Sequence, residues 1–122
     1  MKINYKFNED KSIELLKEHI DKTYTSHYSK NKFQSTEFIT DSGHGTGFCV
    51  GNIMKYAQRY GKKGTPEDHK KDLLKILHYA IIQLHIHEKE IDASLDRILG
   101  DIGLVDDDMS IDDLRGISDA GC

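Results

Sequence analysis

The sequence has few cysteines and no long apolar run, and both shortages restrict the class of protein. Cys49 and Cys122 are its two cysteines. They lie far apart along the chain, so we expect no disulfide framework and a reducing compartment. No apolar run approaches the roughly 18 residues that a membrane-spanning helix needs, and residues 1–12 lack the apolar stretch of a secretion signal. These absences predict a cytoplasmic protein.

A strong positive charge is also missing, and the charges that are present are unevenly distributed. The net charge of the 122 residues is −4. Residues 92–122 contain nine Asp and two Arg, a net charge of −7, which leaves the rest of the chain at +3. This balance argues against a general DNA-binding protein, but it suits a local basic pocket for a small anion. We expect a helical domain at 1–93 and an acidic extension at 94–122.

Period-two alternation, which marks half-buried strands, is absent, so the sequence predicts a mainly α-helical fold. A first helix is expected from Asp10 to Tyr24, because apolar side chains recur there at spacings of three and four. Residues 25–46 look like a long connection with one short extended or helical piece at Phe38–Thr40. A connection of that length in a small domain is more often functional than idle.

Two further helices are expected to form an antiparallel pair. The first begins near Thr46 and ends at Tyr60, with Gly61 as a cap after its end. The second runs from Pro66 to about Glu90 and starts after Thr65 as its N-cap. The turn that joins them is short, which favours packing in opposite directions. A short helix at Ser94–Leu99 is expected to follow.

The first helix of this pair has an apolar face and a polar face. The apolar face is predicted to point to the core and consists of Val50, Ile53, Met54 and Ala57. On an adjacent face, the same spacing brings an amide, an ammonium, a phenol and a guanidinium into one row: Asn52, Lys55, Tyr56 and Arg59. Such a row suits phosphate, because arginine offers two parallel hydrogen bonds and lysine a point charge. An ordinary solvated helix face is the alternative.

The second helix of the pair offers a partner row, on a face distinct from its leucines and isoleucines: Asp72, Lys75 and Tyr79. If both rows face one groove, Lys62 and Lys63 lie at its rim. Asp72 then orients Lys55 or Arg59, or acts as a general base. Intrahelical pairing and solvation of the same side chains is the alternative.

Standard phosphate-loop and metal motifs are missing. The glycine-rich segment 41–47 fits neither the P-loop nor the dinucleotide fingerprint. Its glycines would let an anion approach the free N–H groups at the start of the next helix, and a flexible loop with a helix cap is the alternative. His85 and His87 point about 200° apart on a helix, so they do not form a metal pair. We therefore expect no bound metal, and we interpret Cys49 as a buried thiol rather than a nucleophile.

Four motifs occur in one order along the chain: His27-Tyr28, Phe48-x-x-Gly51-Asn52-x-x-Lys55-Tyr56-x-x-Arg59, Lys62/Lys63-x-Gly64 and Asp72-x-x-Lys75-x-x-x-Tyr79. Together they resemble the core pattern of a family of small tailed-phage proteins known as phage nucleotide kinase. The best-known type of that family is the P-loop-less deoxynucleoside monophosphate kinase of short-tailed coliphages. The resemblance covers roughly residues 26–84, and it leaves out the N-terminal helix and the acidic tail.

The resemblance implies a helical, oligomeric protein of the host-cell cytoplasm that binds nucleotides without a Walker motif. It implies phosphoryl transfer to (deoxy)nucleoside monophosphates, with ATP as the donor, and it leaves a need for Mg²⁺ open. The site residues that it implies are His27, Tyr28, Asn52, Lys55, Tyr56, Arg59, Lys62, Lys63, Asp72, Lys75 and Tyr79.

Each of these residues has an expected role. The lysine and arginine of the first row clamp phosphates with the help of a turn lysine, while its asparagine and tyrosine orient sugar or phosphate oxygens. His27 or Asp72 is the acid–base candidate. Tyr28 or Tyr79 is expected to stack on the base.

Two alternatives from other functional classes stay open. A non-catalytic protein that sequesters a nucleotide, including a cyclic or NAD-derived immune signal, needs the same cationic groove but no general base. A purely structural or protein-binding helical module predicts no thermal shift with any nucleotide.

Overall fold

The computed structural model describes residues 2–26 and 29–101, except for the side chains of 29–31 and 33. This part of the chain contains four α-helices and no strand: α1 (Glu9–Thr25), α2 (Ser29–Asp41), α3 (Gly45–Arg59) and α4 (Pro66–Asp101). The predicted mainly α-helical fold is confirmed. Most of the predicted acidic extension, at 94–122, lies outside the described residues.

Helix α1 agrees with the sequence prediction, whereas α2 does not. α2 occupies 13 residues of the segment that is predicted to be a long connection, and that prediction is wrong. Its serine, threonine and asparagine side chains disfavour helix in isolation. In the structure, the hydroxyls of Thr36 and Thr40 donate to the carbonyls of Lys32 and Thr36 at 2.9 and 2.8 Å. Contacts with α1 and α3 supply the stability that local propensity lacks.

A glycine cap separates α2 from α3. Gly43 has a φ of +90°. The backbone N–H groups of Gly43 and His44 donate to the carbonyls of Thr40 and Ile39, at 3.1 and 3.0 Å. These two hydrogen bonds form a Schellman motif, whose left-handed position suits glycine because it has no Cβ. Gly43 therefore caps the end of α2, a helix that the sequence analysis does not predict.

A second glycine shapes the turn between α3 and α4. Tyr60 (φ −54°, ψ 127°) and Gly61 (φ +77°) occupy the two central positions of a type II turn. The turn is closed by a hydrogen bond from the Lys62 N–H to the Arg59 carbonyl, at 3.0 Å. The predicted cap at Gly61 is therefore present, two residues after Arg59, the last residue of α3.

Helix α4 begins at a reciprocal cap. The N–H and hydroxyl of Thr65 donate to Asp68 Oδ2, at 2.9 and 3.0 Å, and the Asp68 N–H donates to the Thr65 hydroxyl oxygen at 3.3 Å. This is a capping box with aspartate in place of glutamate. The hydrogen bonds from Thr65 hold the pKa of Asp68 below its usual value. The helix continues to Asp101, past its predicted end near Glu90 and through the short helix predicted after it, because no proline interrupts it.

Gly64 is the position at which we expect one methyl group to disturb this cap. Its φ is +89°, and a Cβ atom there would lie 2.7 Å from Asp68 Oδ2. Left-handed backbone costs a residue with a side chain about 1–2 kcal/mol, and the capping carboxylate must also move. Gly64→Ala should therefore lower the free energy of unfolding in urea by about 2 kcal/mol. Gly47→Ala, where a Cβ would contact nothing within 4 Å, is the control; equal losses in both variants would contradict the prediction.

The contacts divide the chain into two units, Met1–Leu84 and His85–Cys122. Among the described residues of the first unit, the buried side chains are those of Cys49, Tyr56, Asp72, Leu74 and Tyr79. The apolar face of α3 is not among them, because Val50 is 41% and Met54 65% exposed. The prediction that this face points to the core is therefore wrong for the single chain. α3 turns Cys49 and Tyr56 inward instead, and burial raises the pKa of the Cys49 thiol.

Candidate functional site

The candidate site lies where α3 and α4 contact each other. The contacts run in opposite directions along the two helices. From Thr46 forward to Tyr60, just after the end of α3, the partner residues on α4 run backward: Thr46 contacts Gln83, Tyr56 contacts Tyr79, Arg59 contacts Asp72 and Tyr60 contacts His69. This reversed order brings the two polar rows of the sequence together. We define the cationic–aromatic cluster as Lys55, Tyr56, Arg59, Asp72, Lys75 and Tyr79.

Tyr56 is the centre of the cationic–aromatic cluster. Its ring stacks on the ring of Tyr79, with centroids 6.1 Å apart and an angle of 14° between the planes. The ammonium groups of Lys55 and Lys75 lie 4.6 and 5.0 Å from the Tyr56 centroid, which is within the range of cation–π attraction. Neither lysine forms an ion pair with a carboxylate of the described residues. Two positive charges from different helices thus meet at an aromatic ring rather than at an acid.

Asp72 is the acid of the cationic–aromatic cluster, and it is 1% exposed. Its Oδ2 lies 3.7 Å from the Nε of Arg59, whose side chain is 45% exposed. That oxygen has no hydrogen-bond partner within the described part of the chain, although a buried charge is stable only when it is paired and hydrogen-bonded. The contact that the sequence predicts between Asp72 and Arg59 is present. In this arrangement, the carboxylate orients the guanidinium but does not itself reach solvent.

The two tyrosine rings form the floor of the site rather than open stacking surfaces. Tyr56 and Tyr79 are each 8% exposed. The Tyr79 ring also packs edge-on against Phe48, with centroids 5.7 Å apart. Burial raises the pKa of the Tyr79 phenol, so it stays a neutral hydrogen-bond donor. Stacking of a base on Tyr79 would first require this packing to open.

The remaining predicted residues fall into three groups. The Asn52 side-chain amide donates to the Phe48 carbonyl of its own helix, at 2.8 Å, so one of its donors is already used. Lys62 and Lys63 are exposed in the turn between α3 and α4. The remaining pair, His27-Tyr28, lies outside the described residues.

Sequence reasoning missed a cavity of about 70 Å³ between α1, α2 and α4. Its lining residues are His19 and Thr23 of α1, Lys32 and Thr36 of α2, and Lys75, His78, Tyr79 and Ile82 of α4. No carboxylate is among them. We refer to this as the histidine–lysine cavity. No local spacing reveals it, because its residues come from three helices and one of those helices is itself not predicted.

The two histidines of the histidine–lysine cavity meet edge to face, with ring centroids 6.1 Å apart. Burial lowers the pKa of His19, and so do the charges of Lys75, Lys32 and Lys22. Burial also lowers the pKa of His78, with further contributions from His19 and Lys32. Positive potential and partial burial therefore both favour neutral imidazoles in this cavity.

Acidification should destabilise the fold through these histidines. Because their folded-state pKa values lie below the unfolded value of about 6.5, the unfolded chain takes up protons first as the pH falls. Stability is complete above that value and is lost below it. We expect Tm, measured by circular dichroism, to decrease between pH 7.5 and 5.5. The dependence of Tm on pH should be weaker in the His19→Gln/His78→Gln double variant. It should stay as in wild type in His85→Gln, which changes an exposed histidine. An unchanged dependence in the double variant would contradict the assignment to His19 and His78.

Within residues 2–26 and 29–101, no group of three or more His, Cys, Asp or Glu side chains is placed to hold a metal ion. Within the same residues, no helix is both long and apolar enough to cross a membrane.

Comparison with known proteins yields one family. Neither the curated proteins nor the solved structures contain a match to this chain. Residues 22–81, just under half of the chain, match the model of a family, DUF3310, that is described as a protein of unknown function. The matched segment contains α2, α3 and the first part of α4. The part of the chain that is similar to this family therefore includes the whole cationic–aromatic cluster.

Proposed function

We propose that the protein binds a nucleotide, or another small phosphate-bearing ligand, at the cationic–aromatic cluster. The observation that carries this proposal is the pair of ammonium groups, Lys55 and Lys75, within 5.0 Å of the Tyr56 centroid and with no ion pair to an acid of the described residues. Arg59 lies one turn further along α3 and is partly exposed. Three cations from two helices thus border one surface, which suits a phosphate group.

Electrostatics explains why such an arrangement favours an anion. The two ammonium groups are at most 9.6 Å apart, because both lie close to the same ring. At about 10 Å, two like charges repel each other by about 0.4 kcal/mol in water and about 1.7 kcal/mol at an effective dielectric constant of 20. A phosphate near both ammonium groups adds two attractions, and together these exceed the repulsion between the lysines. The cluster is therefore better satisfied with an anion bound than without one.

Phosphoryl transfer to (deoxy)nucleoside monophosphates is the activity that we propose to test first. Such transfer depends mainly on positioning and on charge neutralisation, and the cationic residues of the cluster can supply both. ATP would be the phosphoryl donor, and His27 or Asp72 would handle the proton of the acceptor. The motif resemblance supports this activity.

One observation favours the non-catalytic alternative, in which the protein binds and sequesters a nucleotide or a nucleotide-derived signal. Asp72 is 1% exposed, and a general base must come within hydrogen-bond reach of the proton that it removes. A buried carboxylate that orients Arg59 serves binding without a step of chemistry. Both versions of the proposal place the protein in a cytoplasm, where nucleotides are abundant.

One experiment separates the two versions. The protein is incubated with ATP, Mg²⁺ and each of the four deoxynucleoside monophosphates, and ADP is then measured by chromatography. A kinase produces ADP only when the right monophosphate is present. A sequestering protein produces none and releases an intact nucleotide when it is heated. If no nucleotide raises Tm and no ADP forms, both versions of the proposal are contradicted.

We also propose that the protein forms a homo-oligomer through the apolar faces that the single chain leaves uncovered. Within the first unit, the exposed row on α4 consists of Leu73, Leu77, Ile81 and Leu84, and the exposed pair on α3 is Val50 and Met54. A row at spacings of four, four and three matches the seam of a helix that packs against another helix. A second copy of the chain offers an identical row, so the faces can cover each other.

The oligomer is tested by charging this row. Leu77→Glu/Leu84→Glu should shift the mass measured by light scattering toward that of the 13.9 kDa chain, because charges buried at an apolar interface are costly. The control is His85→Glu/Lys89→Glu, which adds the same two acidic side chains at exposed polar positions of α4. A wild-type mass equal to that of the single chain would contradict the proposal.

A further inference from the structure

The histidine–lysine cavity combines features that the proposed nucleotide cluster does not explain. Lys32, His19 and His78 belong to the cavity and not to the cluster. The cavity volume of about 70 Å³ is roughly five times what one water molecule needs. It therefore has room for a single ion of a few heavy atoms, and the described residues of its wall include two lysines and no acid.

We infer that this cavity binds a single tetrahedral oxyanion of the sulfate or phosphate class. The hydrogen-bond donors for it are the ammonium groups of Lys32 and Lys75, the imidazole N–H groups of His19 and His78, and the phenol of Tyr79. The two threonines play a different part. Thr23 donates its hydroxyl to the Ile20 carbonyl at 2.6 Å, and Thr36 donates to the Lys32 carbonyl, so these side chains shape the wall rather than hold the ion.

The charges around the cavity come from every helix that borders it. α1 contributes His19 and Lys22, α2 contributes Lys32, and α4 contributes Lys75 and His78. Lys32 also lies 5.9 Å from the centroid of Tyr79. An anion in the cavity would attract protons to both imidazoles, because a nearby opposite charge favours the charged form. Binding and proton uptake are therefore linked, and the ion should bind more tightly as the pH falls.

Sulfate is the appropriate probe, because it stays a dianion throughout the range from pH 5.5 to 7.5 and any pH dependence then comes from the protein. Calorimetric titration of the full chain at constant ionic strength should show one sulfate per chain with a Kd of roughly millimolar order. The affinity should rise roughly tenfold from pH 7.5 to 5.5. In NMR titrations, the ring-proton signals of His19 and His78 should have midpoints at higher pH when sulfate is present.

Lys32→Gln should weaken sulfate binding by about tenfold or more, whereas Lys11→Gln, on the exposed part of α1, should not. If Lys32→Gln fails to fold, the shifted titration of His19 and His78 in the wild-type protein still tests the site. Absence of saturable binding, or equal binding in wild type and Lys32→Gln, would mean an adventitious ion only and would overturn the inference.

This site and the nucleotide cluster can fail separately. Lys55 belongs to the cluster, so Lys55→Ala should weaken nucleotide binding and leave sulfate binding unchanged. Lys32→Gln should weaken sulfate binding and leave nucleotide binding unchanged. In Lys55→Ala, competition between sulfate and a deoxynucleoside monophosphate would identify the natural oxyanion as an ester phosphate, and lack of competition would identify it as a free ion. Loss of sulfate binding in Lys55→Ala would overturn the assignment to a cavity of its own.

Discussion

Replacement of Lys55 and Lys75 by alanine should weaken nucleotide binding more than any other pair of substitutions in the chain. Each lysine is expected to make a charge-assisted hydrogen bond to phosphate, which contributes about 1.5–3 kcal/mol. Each single variant should therefore raise the Kd by about 10- to 100-fold, measured by calorimetry with the deoxynucleoside monophosphate that gives the largest thermal shift. The double variant should show no measurable binding.

The control for Lys75→Ala is Lys89→Ala, which changes the same residue type on the same helix. Lys89 belongs to the second unit, whereas every residue of the cluster belongs to the first. Lys89→Ala should keep the wild-type Kd. If Lys75→Ala also keeps it, the convergence of the two ammonium groups on Tyr56 has no role in binding.

Asp72→Asn should have the opposite effect on binding. It removes the negative charge inside the cluster, but it keeps the shape of the side chain and an amide oxygen that still orients Arg59. At about 6 Å, the repulsion between a carboxylate and one phosphate charge is up to about 3 kcal/mol at an effective dielectric constant of 20. Partial screening at the exposed Arg59 reduces this. We therefore expect nucleotide binding that is roughly 2- to 10-fold tighter than in wild type.

The stability of Asp72→Asn should stay within about 1 kcal/mol of wild type, because the cost of burying a carboxylate offsets its attraction to Arg59 at 3.7 Å. The same variant separates the two versions of the proposed function. A kinase that uses Asp72 as its base loses phosphoryl transfer while it still binds the nucleotide. Weaker binding in Asp72→Asn would contradict an anion site at this position.

The local elements of this fold can be predicted from the sequence, and the reason is that their signals are local. Thr65 and Asp68 form the cap of α4 through hydrogen bonds to near neighbours, and Gly61 occupies a left-handed position that suits glycine. Helix α2 could not be predicted, because its stability comes from contacts with α1 and α3 rather than from its own polar sequence.

The contacts between elements could be predicted only in part. Helical spacing and a short turn were enough to bring Arg59 to Asp72 and Lys75 to Tyr56. Spacing could not show which face of α3 is buried, because Val50 and Met54 form an apolar face that the single chain leaves exposed. Periodicity identifies an apolar face but does not say whether the same chain or another copy covers it.

The cavity residues illustrate a different limit of sequence reasoning. His19 and Lys32 have no motif around them, and they become neighbours of Lys75 and His78 only through the packing of α1 and α2 beside α4. Their chemistry is a property of the tertiary structure, so it is visible only once the helices are placed.

Recognition of a phosphate group by the cationic–aromatic cluster is the property on which the proposed function rests. Its most direct test compares the Kd of a deoxynucleoside monophosphate with that of the same deoxynucleoside without phosphate, in wild type and in Lys75→Ala. In wild type, the nucleotide should bind at least about 100-fold more tightly than the nucleoside, and Lys75→Ala should remove most of that difference. Equal affinity of the wild-type protein for nucleotide and nucleoside would contradict the claim.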